Sequence, residues 1–295
     1  MERIKGNIYA ETKFLGCNPG FVVTGEGVVM IDTPQRPDEA SQWKEEMERH
    51  GKIIYLINTD HHQDHAIGNF FFPGDLITHE GTMNRLMAEG LAETCRQWVV
   101  RLDPKFAPRV ENYSIRKPRF TFTERMSLCL GDDLIELIHV ESHTKDETLV
   151  YLPRKKVLFA GDTVCTKQIP SMRESFPLSW LKALELIETL DFDVLVPGHG
   201  EIGDKDSFRE FRGDFSGLVE RAREMIARGR SQEEIIRELK YEDTVHSQYP
   251  PPFAAHFAAN MDKNIGRLYD ELMRVEGEVL AGRGSRNTTE GRTRG

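Results

Sequence analysis

The sequence predicts an α/β sandwich whose chemistry gathers where strand-end loops meet along one face. Three observations lead there. Short, β-branched apolar runs such as Ile53 to Ile57 read as buried strands. Several of these runs stop at His, Asp or a Gly-flanked His. After Gly200 the apolar spacing becomes helical. At 295 residues the chain suits one large domain, or a domain with an appendage.

In chain order, the first sheet is expected from strands near Ile8, Phe14, Val22, Val29 and Ile54. Pro37 to His50 reads as a covering helix. Thr82 to Arg101 reads as another, turning Met83, Leu86, Met87, Leu91 and Val99 towards a core or partner. Leu102 to Arg119 is polar and Pro-containing, an irregular insertion, and a second strand series begins near Phe120. Leu178 to Leu190 has helical spacing. Phe208, Phe211, Phe215, Leu218, Ala222 and Met225 then form one apolar stripe, with Gly229 as its stop. Ser231 and Glu234 make a capping box ahead of Ile235, Ile236 and Leu239. A last helix is expected from Phe253 to Met273. These helices cover the sandwich or offer a homodimer contact, since amphipathicity does not identify the partner surface. The tail, Gly282 to Gly295, lacks apolar anchors and is expected to be disordered.

The densest chemistry follows the Ile53 to Ile57 strand. Asp60-His61-His62-Gln63-Asp64-His65 packs three His and two Asp into six positions. Imidazole and carboxylate are ligands for a zinc-like ion when thiolate is not supplied. One His beside one Asp is ordinarily a hydrogen-bonded pair. Five such groups at one strand end would repel and desolvate one another unless something held them together. Further polar groups stand at other strand ends: Asp32 after Val28 to Ile31, His143 after Leu134 to Ile138, Asp162 after Lys156 to Ala160, and His199 after Val194 to Val196. Glycines beside Asp162 and His199 permit sharp turns and close approach.

With these motifs in order, the chain resembles the metallo-β-lactamase superfamily of hydrolases from about Arg3 to about Gly203. The family's His-x-His-x-Asp-His pattern corresponds to Asp60 through His65, with Asp60 in place of the first His. Ser142-His143-Thr144, Phe159-Ala160-Gly161-Asp162 and Pro197-Gly198-His199-Gly200 match the other signatures. The resemblance implies an αββα sandwich, two mixed sheets face to face with helices outside. It implies a catalytic domain over residues 1–203, and the helical spacing and tail composition add a helical extension over 204–281 packed on the same domain and a disordered tail over 282–295. It also implies two metal sites. Asp60, His62 and His143 would hold one ion, and Asp64, His65 and His199 the other, with Asp162 bridging. Asp32 would orient the ligand loop through hydrogen bonds. His61 and Gln63 fall at variable positions, so His61 is expected behind the ligands or at the surface.

Asp60 changes the charge of such a centre. Two divalent ions against Asp60, Asp64, Asp162 and one hydroxide are formally neutral, which makes a weaker Lewis acid than a cationic cluster. Carboxylate is also harder than imidazole and tilts the first site towards manganese or iron relative to zinc. A two-metal hydrolase, a one-ion site and an iron redox site all remain open. The leading expectation is two divalent ions, zinc foremost, that activate water against a small ester, lactone or thioester, with Asp64 steering or accepting a proton. The alternatives are an oxygen-dependent diiron enzyme and a metal-stabilised binding protein without turnover.

Composition narrows the partners. A net charge of −9 argues against nucleic acid and anionic membrane. No segment is apolar enough to span a bilayer, the start carries no export-type apolar stretch, and Cys17, Cys95, Cys129 and Cys165 show no close pairing. A cytoplasmic protein with reduced thiols acting on a small molecule is therefore expected, with Cys165 a buried, inert thiol. Candidate pocket residues are His79, Trp98, Lys167, Trp180, His246, Tyr249 and His256. His79 is the one expected to support a ligand from behind, and Lys167 the one offering a cation to an anionic substrate.

Overall fold

The computed structural model describes residues 1–167, 170–239 and 262–275. Among them, alternation along the strands builds two sheets that pack face to face. The first holds β1 (Glu2–Lys5), β2 (Ile8–Ala10), β3 (Gly20–Thr24), β4 (Gly27–Ile31), β5 (Ile53–Ile57), β6 (Asp75–His79) and β7 (Phe120–Phe122) in sequential order. β1 to β4 pair antiparallel, and β4 to β7 pair parallel. The second holds β8 (Arg125–Leu130), β9 (Asp133–Val140), β10 (Glu147–Leu152), β11 (Val157–Phe159) and β12 (Val194–Val196). Only its β11–β12 pair is parallel.

Period-2 geometry decides which side chains meet. In β4, Val29 and Ile31 point between the sheets and join Leu137, Val150 and Phe159 from the other side. Val28 and Met30 point outwards, where α1 (Pro37–Glu48) covers them with Ala40, Trp43 and Met47. A helix opened by Pro37 and carrying Asp38 and Glu39 in its first turn suits its own dipole. Four further helices follow: α2 (Gln63–Ala66), α3 (Glu80–Leu86), α4 (Leu91–Leu102) and α5 (Pro177–Thr189). α6 (Lys205–Ala227) and α7 (Gln232–Glu238) come next, and residues 262–275 are also helical. The α/β sandwich is as expected.

Several details differ from the sequence reading. Phe14 lies in a bend rather than a strand, packed edge-on against Trp43 with ring centroids 5.7 Å apart. The helix expected over Thr82 to Arg101 is two helices, because Gly90 takes a left-handed φ of 79° between them. Phe120 to Phe122 joins the first sheet beside β6, so the second sheet starts at Arg125. The stripe from Phe208 to Ala222 is buried against Ile138, Leu158 and Leu195 of the second sheet, together with Ile265, Leu268 and Leu272. That stripe covers the chain's own core. The α7 capping box forms as expected from Ser231 and Glu234. The expected start of the last helix, with Phe257 and Met261, lies outside the described residues, as do His246, Tyr249, His256 and the tail.

Candidate metal centre

The edge where β4, β5, β9, β11 and β12 end carries the clustered ligand-type residues. After Ile57 the chain runs through Asn58, Thr59, Asp60 and His61 to His62, which opens α2, and that single turn sets Asp64 and His65. Hydrogen bonds strap the loop from behind. Asn58 Nδ2 donates to the His65 carbonyl at 3.0 Å, and Thr33 Oγ1 donates to the same oxygen at 2.8 Å. Asp32, at a left-handed φ of 53°, accepts from Thr59 N–H and Thr59 Oγ1, both at 2.7 Å. Its Oδ2 also lies 3.0 Å from His65 Nδ1. An imidazole held by a carboxylate at Nδ1 keeps its Nε2 lone pair free to bind an ion. His65 Nε2 is buried without a hydrogen-bond partner, as such an atom should be.

Two groups of ligand atoms result, Asp60/His62/His143 and Asp64/His65/His199, with the atoms of each within 4.8 Å of one another. His62 Nδ1 lies 2.7 Å from Asp60 Oδ2 and 3.2 Å from His143 Nε2. His199 Nε2 lies 3.3 Å from Asp64 Oδ2. Asp162 stands between the groups. Its Oδ1 is 3.3 Å from both His65 Nε2 and His199 Nε2, and its Oδ2 is 3.4 Å from His143 Nε2. Gly198 makes this approach possible, since a Cβ there would sit 2.0 Å from Asp162 Oδ1.

The electrostatics call for cations. Burial opposes ionisation of Asp162, yet His199 and His65 hold its carboxyl well below the usual range. The same competition, won by His65 and His62, keeps Asp60 ionised with no solvent exposure. Burial lowers the affinity of His199 for a proton, but Asp162 and Asp64 outweigh it and raise its pKa to about 10. Two buried carboxylates and a partly buried third are matched here only by neighbouring imidazoles, a charge that divalent ions can supply instead. Imidazole and carboxylate donors around such a potential fit a pair of divalent ions. Asp64 is the most open of the three, with its side chain 19% exposed against 7% for Asp162.

Other predicted residues are placed differently. His79 does not support a ligand. Its Nδ1 accepts from Gly81 N–H to cap α3, its Nε2 lies 2.9 Å from the Thr123 carbonyl, and its ring stacks on His139. Lys167 pairs on the surface with Glu201 at 2.6 Å. Trp180 is fully buried beneath His143, with its Nε1 donating to the Thr163 carbonyl, and so belongs to the core. Trp98 donates from Nε1 to Gln35 at 2.7 Å. Cys165 is buried, and burial pushes its thiol far up, as an inert thiol requires.

Sequence reasoning missed Asp146, which backs His61, and Glu147. His61 Nδ1 lies 3.1 Å from both oxygens of Asp146, which also accepts from Thr82 Oγ1 at 2.6 Å. Its Nε2 faces Arg85 at 3.2 Å, and Arg85 pairs with Glu174. Glu147, fully buried in β10, has neither carboxyl oxygen partnered, and burial followed by Asp60 and Asp162 pushes its carboxyl well up. A lone Glu at the head of the apolar strand Thr148 to Leu152 was the one available signal.

Beside His62 and Gln63 opens a cavity of about 300 Å³, walled in part by α3, α4 and the insertion. A second of about 770 Å³ lies across His61, Asn84, Arg85 and Glu174, which border both.

Comparison with known proteins identifies the family. The family model described as the metallo-β-lactamase superfamily matches residues 12–199. A metallo-β-lactamase type 2 from Elizabethkingia meningoseptica is 25% identical over 224 residues, covering 71% of this chain and 82% of that protein. The 2,4-dinitroanisole O-demethylase subunit alpha of a Nocardioides strain is 26% identical over 226 residues, covering 72% of this chain and 60% of that one. Among solved structures, the sec-alkylsulfatase Pisa1 from Pseudomonas superposes with a TM-score of 0.63 at 14% identity. It covers 89% of this chain, which spans 48% of the sulfatase.

Proposed function

This chain belongs to the metallo-β-lactamase superfamily of metal-dependent hydrolases, and we propose that it activates water at a two-metal centre to cleave a small ester, lactone or thioester. The division of Asp162 carries the reading: one oxygen faces His65 and His199, and the other faces His143. Asp60, His62 and His143 are assigned to the first ion, Asp64, His65 and His199 to the second, and Asp162 to both. Bound there, divalent ions supply a nucleophilic hydroxide near neutral pH and polarise the reacting oxygen.

The chain's own groups do the rest. Asp32 fixes the His65 tautomer. Asp64, ionised against burial by His65 and His199, is assigned the proton-accepting and steering role, consistent with its exposure. Asp60 brings a hard ligand and a negative charge to the first site, so we assign zinc to the second and allow manganese or iron at the first. Four unpaired cysteines support a reducing, cytoplasmic setting.

Elemental analysis of protein purified without added metal, for wild type and Asp60→His, tests this reading. Two zinc or manganese ions per chain with turnover in a hydrolytic panel support it. One ion rising to two in the variant assigns the weak site to Asp60. Iron with an oxygen-dependent spectrum would favour redox chemistry, and metal without turnover would favour a binding protein.

A further inference from the structure

The cavity beside His62 differs in character from the metal edge. Ile67, Leu86, Leu91, Cys95 and Ile115 furnish an apolar wall. Tyr113 presents its ring, because its hydroxyl is already committed as donor to the Ile67 carbonyl at 2.9 Å. The two guanidiniums at the margin are occupied, and His61 beside them is held by Asp146. Arg116 Nη1 donates to the Phe72 carbonyl at 2.5 Å and to the Asn69 carbonyl at 3.4 Å, and Nη2 donates to the Gly74 carbonyl. Arg85 is paired with Glu174. An anionic substituent would therefore have to break an existing partnership to find a cation there. An apolar substituent meets a ready wall.

We propose that this cavity is the site for a compact apolar group of the substrate, seated beside the first metal position with its reacting bond directed past His62. The size sets the class. A cavity of about 150 Å³ lined by aliphatic and aromatic side chains takes up benzene, and this one is about twice as large. It accommodates one ring with its substituents, or a chain of roughly six carbons, with space left over. The proposal rests on the hydrolase reading for its coupling to catalysis, but the cavity's occupancy is testable without turnover.

Leu91 opens α4 on the cavity wall and is only partly buried, so Leu91→Trp fills the space without forcing a core residue aside. The first measurement is thermal stabilisation of the wild-type protein by benzyl alcohol and hexanol, compared with ethanol. Stabilisation by the two larger probes that is lost in L91W supports the site. Equal response of both proteins overturns it, whatever the enzyme's chemistry.

The second measurement uses metal-loaded enzyme and simple esters whose acyl or alcohol part grows from two to six carbons. Wild-type kcat/KM should rise about threefold to fourfold per methylene along one of the two series, and L91W should flatten that rise. A rise unaffected by L91W, or none in the wild type despite turnover, overturns the proposal. Absence of turnover with every ester counts against the hydrolase reading alone, and the binding comparison then decides the cavity.

Discussion

Substituting Gly198 by Ala should dismantle the shared carboxylate while leaving the sandwich folded. Gly198 is clamped: its N–H donates to the Gly161 carbonyl at 2.8 Å and the Val164 carbonyl at 3.1 Å, and its own carbonyl accepts from Asn18 N–H at 2.8 Å. An added Cβ would lie 2.0 Å from Asp162 Oδ1, 2.7 Å from the Gly161 carbonyl carbon and 2.8 Å from Asp162 N. Ordinary contact begins at 3.4 Å. Rotating the Asp162 side chain relieves only the first clash, so the turn itself must move by about half an ångström or more. Such overpacking costs about 1–3 kcal/mol of stability. A ligand misplaced by about 1 Å costs about 100-fold in rate.

The assay is metal content after dialysis against a metal buffer, the melting temperature of the metal-free protein, and kcat/KM on the best substrate found. Gly217→Ala is the control, since a Cβ there meets nothing within 4 Å and helix α6 favours Ala by about 1 kcal/mol. The expected pattern is G198A with reduced metal content, a melting temperature lower by several degrees and a rate about 100-fold down, beside an unimpaired G217A. Wild-type metal content and a rate within about threefold in G198A would refute the claim that close approach to Asp162 is what this glycine is for.

Other outcomes follow from single contacts. Asp32→Asn tolerates the left-handed backbone but turns one acceptor into a donor facing Thr59 Oγ1 or His65 Nδ1, so metal affinity should fall about 10–100-fold with the melting temperature of the metal-free protein little changed; a metal titration checks it, and unchanged affinity contradicts it. Burial raises the Glu39 carboxyl from 4.5 to about 7 against its bond from Leu15 N–H. The fold therefore prefers the neutral acid, and this contribution is complete below about pH 4.5 and lost as pH rises through 7. Glu39→Gln should accordingly match wild type near pH 4.5 and exceed it at pH 8 by about 1–3 kcal/mol, seen in urea melts at both pH values. Of the four cysteines only Cys129 is exposed, so a thiol reagent should titrate one thiol in the native protein and four after denaturation. Chelation should lower the melting temperature, and restored zinc should recover it with the logarithm of its excess over Kd, because the ligands bind ions only when folded.

Much of the metal edge was legible because it is local. Imidazole and carboxylate spacing within Asp60 to His65, and the glycines beside Asp162 and His199, are features of short windows. Strand ends follow from where apolar runs stop. Asp32 was legible for the same reason, as a polar residue closing an apolar strand. The errors fell where local pattern is ambiguous. Gly90 reads as tolerable inside a helix until its φ is known, and Phe14 reads as strand because apolar character alone does not distinguish a buried bend. His79 shares its position at a strand end with the ligand residues, but its strand feeds a helix cap instead of the metal edge.

The sequence by itself determined the layered α/β class, the candidate ligand types and which strand ends carry them, since periodicity and side-chain chemistry are properties of neighbouring residues. Only the tertiary structure decided that Asp146 backs His61, that Glu147 lies unpartnered near Asp60, and that an apolar cavity opens beside His62. Those partners come from β10 and the turn before it, α3, α4 and the insertion, 85 positions away along the chain in the case of Asp146 and His61. Their meeting is set by the packing of one sheet and its helices on the other, and packing between distant segments leaves no periodic trace in either of them.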